Sequence, residues 1–98
     1  MSALTKLARG MPCLVRLPGC NANPETTVAA HYRSVSLGSG VGYKTNDWLA
    51  SWTCSACHDL LDGRRHDPNL TRDEIRLAHL EGVVRTLMHL KQDGRVKL

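Results

Sequence analysis

The stretch Cys54-Ser55-Ala56-Cys57-His58-Asp59-Leu60-Leu61-Asp62 constrains this chain more than any other. Two thiols two residues apart make a tight knuckle that supplies half of a tetrahedral metal site, and zinc favours four such soft ligands. Cys13 and Cys20 can supply the other half. The six residues between them, among them the turn pair Pro18-Gly19, exceed the usual two-to-four spacing, so that half is irregular. A chain of 98 residues suits one small domain with a modest core, the kind that is often braced by a metal or a disulfide. Lys6 and Arg9 interrupt Leu4, Leu7 and Ala8, too broken for a secretory apolar region, and no stretch approaches the ~18 apolar residues of a membrane span. The expected location is therefore cytoplasmic, where cysteines serve as ligands more often than as disulfides. We expect structural zinc on Cys13, Cys20, Cys54 and Cys57. Buried reduced thiols, a redox Cys-x-x-Cys pair, and a Cys-His site that recruits His58 or His66 are the other readings of the same residues.

If the residues after Cys57 are helical, His58 and Asp62 stand one turn apart on one face and form an open half-site for a second, divalent ion. Asp59 points away from them by most of a turn. The same spacing also suits a surface His-Asp hydrogen bond. Arg64-Arg65 is the one adjacent pair of basic residues, and with His66 it reads as a phosphate-binding patch. A net charge of +4 and a pI near 9.1 favour a polyanionic partner, with a solvated basic surface as the alternative.

The rest of the chain frames these residues. Residues 2 to 9 suit one or two helical turns, Cys13 to Leu17 alternates like a strand, and Thr26 to Arg33 reads as a strand with His31 near its end. Residues 34 to 44 hold three glycines and three serines and read as a loop. Residues 47 to 53 suit a second strand or a helical turn, and a short helix follows Cys57 as far as Gly63. Thr71-Arg72-Asp73-Glu74 is a capping box opening a long helix over about 72–91, whose apolar residues populate one broad face. Residues 75 to 90 look too apolar for one small domain to cover, so a homodimer through this helix is an open expectation. The fold class is α+β.

A strand-ending His, a loop, and a Cys-x-x-Cys-His on a helix resemble, in that order, the ββα-metal (HNH or His-Me finger) nucleases. Ala8-Arg9-Gly10, Arg16-Leu17-Pro18-Gly19-Cys20-Asn21, Asn23-Pro24-Glu25-Thr26-Thr27-Val28, Ala30-His31 and Cys54-Ser55-Ala56-Cys57-His58-Asp59 are similar, more closely, to the short lambdoid-prophage YbcO-like family of nucleases. The likeness covers nearly the whole chain. It implies a single zinc-stapled HNH-like domain over 1–98, with a ββα-metal core at about 26–63 and the long helix behind it. It implies further that His31 is the general base, His58 the helix-borne metal ligand and Asp62 a second ligand to magnesium or manganese, or to zinc in their place. The expected activity is prophage-encoded endonuclease hydrolysis of DNA with low sequence specificity. An imidazole ordinarily titrates near working pH and suits the base, while Arg33, Arg64 and Arg65 suit phosphate contacts. Two positions depart from the pattern: Ala30 stands where many HNH enzymes carry a metal-binding Asp or His, and the middle Asn has no exact counterpart, Asn46 and Asp47 lying a residue or two early. The alternative is a weak or inactive zinc-stapled DNA-binding or adaptor module.

Overall fold

Asn23 starts the first regular turn, its side chain accepting the Glu25 amide at 3.1 Å while Pro24 presets the backbone of the 3-10 turn Pro24–Thr26. In this computed structural model, which describes residues 6–32 and 49–94, that turn leads into β1 (Val28–His31). Strand β1 pairs antiparallel with β2 (Ala50–Thr53), setting Val28 opposite Thr53 and His31 opposite Ala50. Helix α1 (Ser55–Asp62) follows at once, capped by the Cys54 sulfur, which accepts the Cys57 amide, and stopped by Gly63 at φ +79°. Helix α2 (Arg72–Gln92) opens with the capping box, Thr71 and Glu74 each satisfying the other's amide at 3.1 Å. Among the described residues the fold is thus one two-stranded sheet and two helices. None of these helices is long and apolar enough to cross a membrane.

Three expectations are corrected. The segment Cys13–Leu17 is not a strand. An extended chain advances ~3.3 Å per residue and would carry Cys20 far from Cys13. Instead the segment folds back through Arg16 at φ +58°, with one amide, that of Leu14, donating to Trp52 O at 2.8 Å. The expected strand from Thr26 begins only at Val28, because Thr26 and Thr27 close the 3-10 turn. The third correction concerns α2, whose apolar residues divide between two faces. Ile75, Val83 and Leu90 are buried with His79, Gly82 and Thr86, whereas Leu77, Leu80, Val84 and Met88 are exposed. Residues 47 to 53, open to either reading, contain strand β2. Arg33, Asn46 and Asp47, the loop over 34–44 and residues 2–5 of the helical turn expected over 2–9 lie outside the described residues.

Helix α2 crosses the sheet closely because Gly82 has no side chain. A Cβ there would stand 2.7 Å from Val15 Cγ2 and 3.2 Å from Ser51 Cβ. The Thr86 hydroxyl donates to Gly82 O at 2.8 Å and accepts the Trp52 amide at 3.0 Å, fastening helix to strand. Two apolar clusters result. Val15, Leu17, Cys54, Cys57, Leu60 and Ile75 form one, and Ala8, Leu14, Trp52 and Leu90 the other.

Candidate functional site

The loop through Cys13 and Cys20 folds onto the start of α1, bringing all four cysteine sulfurs within 4.8 Å of one another, with Cys20 and Cys54 at 3.6 Å. Ligands ~2.3 Å from a tetrahedral zinc stand ~3.8 Å apart, so the cluster has the right size and donor chemistry. It could hold a metal ion such as zinc. Cys54 and Cys57 are fully buried. The four thiols are unpaired by disulfides and compete for negative charge. A hydrogen bond from the Cys57 thiol draws Cys13 down to about 4, while Cys57 is pushed up by donating that bond and by its burial. Partial burial pushes Cys20 up as well. A bound cation would favour the thiolate at every position.

Next to the cysteines along α1, His31, His58 and Asp62 line one cavity of about 470 Å³ between the end of β1, α1 and the first turns of α2. His58 Nε2 lies 3.4 Å from Asp62 Oδ2, as their one-turn spacing requires. Ligands ~2.1 Å from an octahedral ion stand ~3 Å apart, so this pair can chelate a small divalent cation with little adjustment. Arg64 competes for the same carboxylate, at 3.2 Å from Asp62 Oδ2 and 3.6 Å from Asp59 Oδ1. Arg65 is turned elsewhere: its guanidinium donates to Pro18 O at 2.9 Å and lies against Gly19, bracing the loop between the first two cysteines. His66 is exposed.

A family model described as "Putative nuclease YbcO" matches residues 2–95. This chain belongs to the YbcO family. Proteins bearing the same description in Escherichia coli (strain K12) and Enterobacteria phage 82 are each 44% identical to it over 100 residues, covering 99% of this chain and 99% of theirs. The chain also resembles a solved structure described as a "putative bacteriophage protein" of Escherichia coli K-12, with a TM-score of 0.76 and 40% identity over 93% of this chain and 99% of that one. That phage protein and this chain therefore share their fold over nearly their full lengths.

In this YbcO member the cavity has a wall that the motifs did not reveal, contributed by Arg72, Ile75, Arg76 and His79 of α2 together with Tyr32. The one sequence signal was the one-turn spacing of Arg72 and Arg76, which matters only once α2 is known to cross here. Arg72 donates to the Leu60 and Leu61 carbonyls at 3.2 and 3.1 Å, satisfying the end of α1. Arg76 reaches the Tyr32 hydroxyl at 3.5 Å with its guanidinium carbon 5.9 Å from the ring centre. His79, buried beneath them, donates its Nε2 hydrogen to Ala30 O at 2.9 Å and meets the Tyr32 ring edge-on. It thereby fixes the residue next to His31.

Burial lowers the His79 pKa below its usual 6.5, partly offset by the hydrogen bond to Ala30 O. Protonation at this position therefore favours the unfolded chain. The imidazole's contribution to stability is complete above about pH 6.5 and declines as the pH falls through that value towards the folded pKa. Melting temperature is expected to drop from about pH 8 to about pH 5. His79→Gln, which keeps a donor for Ala30, should reduce the slope; an unchanged slope would show that His79 does not produce it.

Proposed function

We propose that this YbcO family member is a metal-dependent endonuclease of the ββα-metal (HNH) type, cutting DNA phosphodiester bonds with low sequence specificity. The observation that carries the reading is the convergence of His31, His58 and Asp62 on one cavity. The nuclease description of the relatives supports it, and the phage relative supports a prophage origin. The domain spans 1–98 with its core over about 26–63, zinc on the four cysteines braces it, and its place is the cytoplasm.

His31 takes the proton from the attacking water, the imidazole being the commonest general base. His58 Nε2 and the Asp62 carboxylate would hold the divalent ion, magnesium or manganese or zinc in their place, and that ion would supply Lewis-acid stabilisation of the charge developing on the phosphate and on the leaving 3′ oxygen. Arg76 at the cavity wall and Arg33 beyond the end of β1 contact phosphates, Arg being suited to bidentate contact. Arg64 exchanges its carboxylate partners for the phosphate backbone, beside His66. Arg65 stays with Pro18 and acts on nucleic acid only through the loop it braces. These contacts position a duplex without reading its bases, hence the low specificity.

A second reading, a zinc-stapled DNA-binding or adaptor module, draws on Ala30, which is buried and whose carbonyl is taken by His79. That position offers no third side-chain ligand. Nicking of supercoiled plasmid in magnesium or manganese decides between the two. The endonuclease converts the plasmid to open circles and stops on chelation or in His58→Ala, whereas binding without cleavage at every metal concentration would overturn the reaction and leave the adaptor.

A further inference from the structure

The outward face of α2 is apolar in a pattern that the domain itself does not use. Leu77, Leu80, Val84 and Met88 are 58, 39, 51 and 56% exposed. At ~100° per residue they form one stripe along the helix, nearly opposite the buried face. Continuing the same line puts exposed Asp73 at its N-terminal end and exposed Lys91 at its C-terminal end. The stripe is therefore closed by an acid at one end and a base at the other.

Its layout is symmetric about position 82. Asp73 and Lys91 stand nine residues either side, Leu80 and Val84 two residues, and Leu77 and Met88 five and six. A two-fold contact requires such self-complementarity, residue i meeting j while j meets i. We propose that two copies of this chain pair through α2 in antiparallel fashion across Leu77, Leu80, Val84 and Met88, each Asp73 facing Lys91 of the other copy. A parallel pair would set acid against acid and base against base. An anionic membrane surface would select basic residues along the polar border, whereas this stripe ends on Asp73. The pairing is independent of the nuclease reading, since none of its six residues lines the His31 cavity.

Sedimentation velocity or light scattering on the full chain tests it. A dimer at micromolar concentration is expected, with Val84→Lys a monomer of unchanged circular dichroism. Asp73→Lys and Lys91→Asp should each weaken the dimer about tenfold, as two reversed surface pairs imply, and the double variant should restore it. Both single changes also oppose the helix dipole, and the double variant carries both, so its recovery cannot come from helix stability. A wild-type monomer up to millimolar concentration would overturn the proposal. So would a dimer indifferent to Val84→Lys, or single reversals that the double variant does not rescue.

Discussion

Replacing Cys57 by serine is expected to abolish zinc binding and, with it, the cooperative fold. The reason lies in what the cysteines hold. Leu14, Val15 and Leu17 are buried residues of the two apolar clusters, yet they ride on an irregular segment that no strand pairing secures. Its attachments are the Cys13 and Cys20 sulfurs, the Leu14 amide on Trp52, Arg85 on Leu14 O at 2.7 Å and Arg65 on Pro18. Structural zinc is worth roughly 10–16 kcal/mol in small domains, comparable with the roughly 5–15 kcal/mol by which a whole domain is stable. A fully buried serine in place of a thiolate ligand also leaves a polar group among apolar neighbours. Metal analysis should find one zinc per wild-type chain and none in the variant, and circular dichroism should show the variant without a cooperative melt. A variant melting within a few degrees of the parent would show that zinc does not brace this fold.

The second large effect concerns the reaction. His31→Ala is expected to lower the nicking rate by about 10²–10⁴-fold, the range a positioned general base contributes, while leaving DNA affinity and the thermal melt near those of the parent. The stability should hold because His31 is only partly buried at the end of β1, where its backbone pairing with Ala50 survives the change. Its effect should also differ from that of His58→Ala. Loss of the base lowers the rate at saturating metal, whereas loss of a ligand first raises the metal concentration required. A His31→Ala enzyme as fast as the parent would remove the base from this account, and a parent with no activity to lose would favour the adaptor reading.

What could be read along the chain was mostly what depends on near neighbours. Thr71 and Glu74 announce the start of α2, Gly63 the end of α1, and His58 and Asp62 their shared face, because each relation spans no more than a few residues. The convergence of the four cysteines across 34 residues, from Cys20 to Cys54, is legible because metal ligation admits few residue types. Other features depend on packing that no local pattern carries. The bend at Arg16 follows from the need for Cys13 and Cys20 to converge, which outweighs the alternating pattern of residues 13 to 17. The division of α2 into two apolar faces depends on which side Gly82 presents to Val15. The same docking gives His79 and Arg76 a place at the cavity; from sequence alone, the first reads as an ordinary helix residue and the second does not stand out.

The central claim is that one cavity holds an ion on His58 and Asp62 within reach of His31. Diffraction from crystals soaked in manganese, recorded at the manganese edge, tests it most directly. An anomalous peak is expected at ~2.1 Å from both His58 Nε2 and an Asp62 carboxylate oxygen, on the side of α1 facing His31. A dataset with no peak there at saturating manganese, or with the ion held by Asp59 on the outer surface, would contradict it.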